Sequence, residues 1–157
     1  MKIRKFTKLD SVPLAKLFYG TIHTVNRSDY APNQLKAWAP EERDMSDWEK
    51  SFENKWVFVA CDEFVIAGFG ELEPDGHIDR FYISKDFIAL GVGRKIYDEL
   101  EDAALNLGLD KLFVEASITA RPFFEKMGFV LLKEQVVSLR GVNFINYAME
   151  KDISGRK

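Results

Sequence analysis

Two glycines followed by a cation, Gly91-Val92-Gly93-Arg94, stand where an apolar helical stripe begins. Glycines just ahead of a helix let a ligand come close to the backbone, and the first helical turn leaves N–H groups pointing outward. The helix dipole adds partial positive charge there, which suits a phosphate or pyrophosphate. Arg94 and Lys95 oppose that dipole, a placement that an arriving anion relieves. A dinucleotide fingerprint needs a glycine at position 96, which is Ile96, and no G-x-x-x-x-G-K-[ST] loop occurs. A glycine loop that merely starts a helix fits Gly-x-Gly equally well. Neighbouring residues have to decide.

Groups able to move a proton gather close by in sequence. His77 and Asp79 alternate on one strand with Phe81 and Ile83, so simple parity puts all four on one face. Glu115 ends a later strand, and Glu71 and Glu73 end the preceding one. Each has a plain alternative: Asp79 beside Arg80 reads as an ion pair or cap, and Glu115 as a solvated strand end. His23 closes a helix, where an imidazole complements the dipole, and it also stands near a variable wall containing Tyr30 and Trp38. That pair suits an apolar or aromatic amine, although Trp38 reads equally as core. Cys61 lies mid-strand as a small core residue.

The elements that must position these groups follow from periodicity. A strand is expected over Ile3–Thr7, then a helix from Asp10 to Val25 with Leu14, Leu17, Phe18, Thr21 and Ile22 on its apolar stripe. Two short helical pieces hold Leu35 with Trp38 and Trp48 with Phe52. Trp56–Cys61, Phe64–Leu72 and Ile78–Ile83 read as an antiparallel meander turned by Asp62-Glu63 and Glu73-Pro74-Asp75-Gly76. Gly91–Leu107 forms the helix behind the glycine loop, and Leu112–Ala116 after it should lie parallel to a neighbour. A helix over Pro122–Lys126 precedes two strands, Phe129–Glu134 and Asn143–Glu150, joined around Arg140-Gly141. The result is a mixed α/β (α+β) single domain spanning 1–157.

Composition removes several classes. The 157 residues carry a formal charge of −3 with both signs interspersed, which gives no basic footprint for nucleic acid. No apolar run approaches the roughly 20 residues of a bilayer span. The opening Met1–Phe6 segment lacks the apolar core of a secretory signal. One cysteine and two histidines provide no metal-ligand spacing. The expectation is a cytoplasmic protein without metal, nucleic-acid or membrane partners; a homodimer is left open.

Context around the glycine loop supplies a family resemblance. Ile78-Asp79-Arg80-Phe81-Tyr82-Ile83, then the loop to Gly91-Val92-Gly93-Arg94, then Ala120-Arg121-Pro122-Phe123-Phe124-Glu125-Lys126-Met127-Gly128-Phe129 resembles the GNAT superfamily of acyl-CoA-dependent N-acetyltransferases. The stretches Ile22–Asn26, Gln34–Pro40, Leu72–Gly76 and Ile145–Tyr147 further resemble its YafP-like branch. The resemblance covers essentially the whole chain. It implies a central, mostly antiparallel twisted sheet with a splayed parallel strand pair and flanking helices. It also implies transfer of an acetyl group from acetyl-CoA to a small amine by direct attack in a ternary complex, or else a weakly active acyl-CoA-binding sensor on the same fold.

Carried over by position, Phe81, Tyr82 and Ile83 would hold the pantetheine arm along a strand edge. Ile88, Ala89, Leu90, Gly91, Val92, Gly93 and Arg94 would cradle the pyrophosphate. Ser117, Phe123 and Phe124 would flank the arm. Two departures stand out: the family's Gln or Arg falls at Ile88, and its frequent general-acid tyrosine falls at Phe124. A phenyl ring donates no proton. Asp79 and Glu115 are the candidate bases for the amine, and Tyr147, whose phenol can give up a proton, is the candidate replacement acid. His23, Tyr30, Trp38 and His77 are the candidate acceptor-binding residues.

Overall fold

The computed structural model describes residues 1–41 and 45–156. Twelve main elements follow one another: β1 (Lys2–Lys5), α1 (Ser11–Thr24), α2 (Pro32–Trp38), α3 (Met45–Lys50), β2 (Trp56–Asp62), β3 (Val65–Leu72), β4 (His77–Ile83), α4 (Val92–Asn106), β5 (Lys111–Ala116), α5 (Arg121–Lys126), β6 (Val130–Leu139) and β7 (Val142–Asp152). The strands form a seven-stranded sheet in the order β1-β2-β3-β4-β5-β7-β6. Every neighbouring pair is antiparallel except β4 and β5, which run parallel. No helix among the described residues is long and apolar enough to cross a membrane.

Apolar clusters cover both faces of the central strands, whereas the edge strand β6 is exposed along nearly its full length. On one face, α4 lays down Val92, Ile96, Leu100 and Ala104 at helical spacing against Leu72, Ile78, Leu112 and Val114, with Phe124 and Met149 alongside. On the other, Leu14, Phe18 and Ile22 of α1 pack with Leu35 and Phe52 on Val59 and Phe69. Gly70 lets α4 approach closely, because a Cβ there would stand 2.8 Å from the Ile96 side chain. Burying either apolar face contributes on the order of 25 cal/mol per Å² removed from water.

Strand ends differ from the periodic reading where side chains intervene. β1 stops at Lys5 because the chain turns at Thr7, whose N–H donates to the Asp10 carboxylate at 2.8 Å. The last hairpin is longer than expected: β6 runs on to Leu139, with Val136↔Ile145 and Val137↔Phe144 in register. Arg140 and Gly141, both at positive φ, close it as a tight two-residue turn.

The parallel pair is the feature that matters for function. β4 and β5 are in register only at His77↔Phe113 and Ile78↔Val114. Beyond those pairs the strands diverge, leaving β4 from Asp79 to Ile83 with an open edge. The splay implied by the family resemblance is present.

Candidate active site

The open edge of β4 has a defined polarity. Ser84 N–H donates to Ala67 C=O across to β3 at 2.8 Å. Antiparallel alternation then aims the backbone groups of Tyr82 at β3, and those of Phe81 and Ile83 at the splay. The Ile83 carbonyl already accepts from the Thr21 hydroxyl at 2.9 Å, which ties α1 to this edge. Phe81 N–H and C=O and Ile83 N–H therefore remain as the ladder that an extended arm could join.

One cleft, about 510 Å³, starts at this edge and runs past the glycine loop. Its walls include Phe81, Tyr82, Ile83, Ile88, Ala89, Gly91, Val92, Gly93, Arg94, Ser117 and Phe123. Gly91 caps α4 at φ 82°, a conformation that costs a side-chain-bearing residue roughly 1–2 kcal/mol. Lys95 N–H makes the first helical bond, to Gly91 C=O, so the N–H groups of Val92, Gly93 and Arg94 precede any intrahelical acceptor. Gly93 has a different reason to be small: a Cβ there would lie 3.0 Å from the Phe123 ring. Leu90 is exposed beside the cleft and does not line it.

A second cleft, about 400 Å³, opens on the other side of the splay. Phe18, Tyr30, Trp38, Trp48, Tyr82 and Phe144 form an aromatic wall, and His77, Asp79, Arg80 and Glu115 supply charge. The two clefts share Phe81, Tyr82, Ser117 and Ala120, so they meet where β4 and β5 part. Phe124 is fully buried against Phe81, Phe123 and Phe129, and its ring closes the floor between them.

Simple parity does not run through β4. From Gly70↔Phe81 to Leu72↔Ile78 the register slips, which places one extra β4 residue opposite Glu71. Ile78, Phe81 and Ile83 consequently pack with the α4 cluster, whereas Tyr82 joins the α1 cluster and Arg80 lies over Trp48. His77, Asp79, Phe81 and Ile83 do not share one face as alternation required. The bulge sends His77 and Asp79 to the aromatic cleft.

Two ionic clusters frame that cleft. His77 bonds Glu73 through Nδ1 and Glu115 through Nε2, the latter at 3.0 Å, while its ring stacks on Phe113. Burial pulls the imidazole pKa down, but Glu73, Glu115 and Asp79 outweigh it and hold the group above its ordinary value. Glu71, wholly buried, accepts from Arg80 and from Lys55, the latter at 3.0 Å, and Lys55 also reaches Asp79 at 2.7 Å. Arg80 is pinned further by Ser51 Oγ at 2.6 Å and by the Trp48 ring at 4.0 Å.

The remaining sequence candidates fall into place around this frame. His23 donates through Nε2 to Ala39 C=O at 2.8 Å and packs at a tilt on Tyr19; it lines neither cleft. Tyr147 pairs in register with Ala116 under the Arg121 guanidinium at 4.5 Å, and it too lines neither cleft. Ser117 Oγ accepts from Ala120 N–H at 3.0 Å, which starts the turn into α5. Trp38 packs edge-on against Tyr30 and is both core and wall. Trp48, Arg80, Phe144 and Asn146 line the aromatic cleft without having been singled out as acceptor residues. Only the tertiary fold brings α3 and β7 to it.

The acetyltransferase (GNAT) domain model matches residues 26–151, and the chain belongs to that family of acetyltransferases. It is 30% identical over 149 residues to the uncharacterized N-acetyltransferase YafP of Escherichia coli K12, covering 95% of this chain and 94% of that protein. A GCN5-related N-acetyltransferase from Rhodopseudomonas palustris superposes with a TM-score of 0.92 at 31% identity, over 97% of this chain and 95% of its own. The PaiA N-acetyltransferase of Thermoplasma acidophilum, solved in complex with coenzyme A, shares the fold with a TM-score of 0.78 at 16% identity, over 96% and 98% of the two chains.

Proposed function

We propose that this chain transfers the acetyl group of acetyl-CoA to a small amine by direct attack in a ternary complex, working in the cytoplasm. The observation that carries this reading is the meeting of two clefts at the β4–β5 splay, one lined by backbone donors and one by aromatics and carboxylates. The residues fit the donor. Phe81 and Ile83 offer a free strand edge, the Val92–Arg94 N–H groups suit a pyrophosphate, and the Gly93–Phe123 contact leaves the wall smooth.

The acceptor enters along Trp38, Trp48 and Phe144, with its ammonium toward Asp79 and Glu115. An alkyl amine of pKa ~10 arrives mostly protonated, so a proton has to leave before the nitrogen attacks. Glu115 takes it: its carboxylate lines the cleft, is held there by His77, and is open to solvent that can carry the proton away. Asp79, fixed by Lys55, orients the ammonium. Holding the two reactants together at the splay can lower the barrier by up to about 7–11 kcal/mol.

The test combines calorimetry with acetyl-CoA and release of free thiol across a panel of primary amines. Binding together with amine-dependent thiol release is expected. Binding without release for any amine would favour a sensor on this scaffold, and absence of binding would overturn the reading.

A further inference from the structure

Cleaving a thioester leaves a thiolate, and that sulfur needs a proton donor at the junction of the two clefts. Phe124, on the floor of that junction, has none to give. Among the described tyrosines, Tyr82 lines both clefts, but its ring packs on Phe18 and Phe69 and its hydroxyl is engaged by the Trp38 side chain. Tyr147 lines neither cleft.

Tyr30 is differently placed. It sits just before α2, and its ring is clamped edge-on by Trp38 at 5.2 Å and packed against Phe144 at 6.2 Å. Tyr30 is only 8% exposed, so the hydroxyl is held rather than swinging. Ile118 N–H, immediately past the splayed end of β5, donates to the Tyr30 oxygen at 2.8 Å. Among the described residues the nearest carbonyl to the hydroxyl's own proton is a long contact, Ile145 C=O at 3.5 Å. A buried hydroxyl whose oxygen is well bonded and whose proton is not is a donor in want of an acceptor. Ser117, common to both clefts, interacts with the same oxygen.

We propose that Tyr30 is the general acid of this enzyme, donating its hydroxyl proton to the departing CoA sulfur; this rests on the acetyl-CoA reading above. The amine nitrogen forms the C–N bond as the C–S bond breaks, and the C–S electron pair goes to sulfur. The Tyr30 proton moves to that sulfur, giving the free thiol. The resulting phenolate keeps the Ile118 N–H bond and regains a proton from solvent, matching the one that the amine lost through Glu115. Burial of Tyr30 raises its phenol pKa, opposed by Ile118 N–H and Ser117, with Asp29 and Tyr147 adding to the rise. The group is therefore protonated, and able to donate, at neutral pH.

The test uses CoA itself, with no acceptor amine needed. The thiol of bound CoA is titrated by thiolate absorbance in the wild-type protein and in Tyr30→Phe, with CoA affinity measured in parallel by calorimetry. A hydroxyl donating to sulfur favours the thiolate. The thiolate fraction at a given pH on the rising limb should fall roughly tenfold in Tyr30→Phe, as expected for loss of one charge-assisted hydrogen bond. CoA affinity at a pH where the thiol stays protonated should change little, since the nucleotide grip is untouched. Replacing Tyr30 by 3-fluorotyrosine, which keeps the ring and the Ile118 bond with a more acidic hydroxyl, should shift the titration the other way and covers the case in which the phenylalanine variant folds poorly. Identical thiol titrations in all three folded proteins would overturn the role of Tyr30 while leaving acetyl-CoA binding intact. Failure of the wild-type protein to bind CoA would overturn both readings.

Discussion

His77 is the residue whose surroundings have the most direct consequence. It lies between Glu73 and Glu115, and its charged form is favoured over the neutral one in the folded protein. A folded-state pKa raised above the unfolded value means that the extra stability is fully present below about 6.5 and is lost as pH rises through the higher folded value. The stability difference between wild type and His77→Gln should accordingly be largest near pH 6 and shrink toward alkaline pH, as read by denaturant titration at several pH values. A pH-independent difference would show that His77 acts by packing on Phe113 alone. Glu115→Gln, one bond away, should lower kcat by about 10²–10⁴-fold with acetyl-CoA affinity unchanged, whereas Asp79→Asn should raise KM for the amine more than it lowers kcat.

Elements set where these residues point, and here the legibility of the sequence divides cleanly. The glycine loop, the α4 stripe and the crossover to β5 were readable because each depends on local chemistry: Gly91 at positive φ, Ile96 and Leu100 at helical spacing, and a strand following a helix. The bulge in β4 was not readable. It sets an extra β4 residue opposite Glu71, which Arg80 and Lys55 hold from a distance in sequence, and such long-range pairing leaves no mark on two-residue alternation. For the same reason Phe144 and Asn146 escaped notice: they reach the aromatic cleft only after β7 pairs with β5. The loop makes its own prediction. Gly91→Val should leave the domain folded, since a Cβ there meets nothing within 4 Å, at a cost of about 1–2 kcal/mol for the positive φ. Its acetyl-CoA affinity should fall at least tenfold, roughly 1.4 kcal/mol or more, as the displaced backbone disturbs the N–H cradle. Unaltered affinity by calorimetry would count against that cradle.

At the scale of the whole molecule, the sheet joins two apolar layers, and the Glu71 cluster is the ionic pin between β3, β4 and the segment after α3. Removing Glu71 leaves Lys55 and Arg80 facing each other with no buried carboxylate, so Glu71→Ala should destabilise the protein by about 3–5 kcal/mol in denaturant unfolding. A loss under 1 kcal/mol would mean that solvent reaches the two cations freely. Both core layers converge on the β4–β5 splay, and the account stands on what that splay holds. The most direct measurement is a crystal structure with CoA bound. The pantetheine arm is predicted to lie along Phe81 and Ile83, with the pyrophosphate at Val92–Arg94 and the sulfur within hydrogen-bond reach of the Tyr30 hydroxyl. A CoA molecule seated elsewhere, or a sulfur remote from both clefts' junction, would contradict the account.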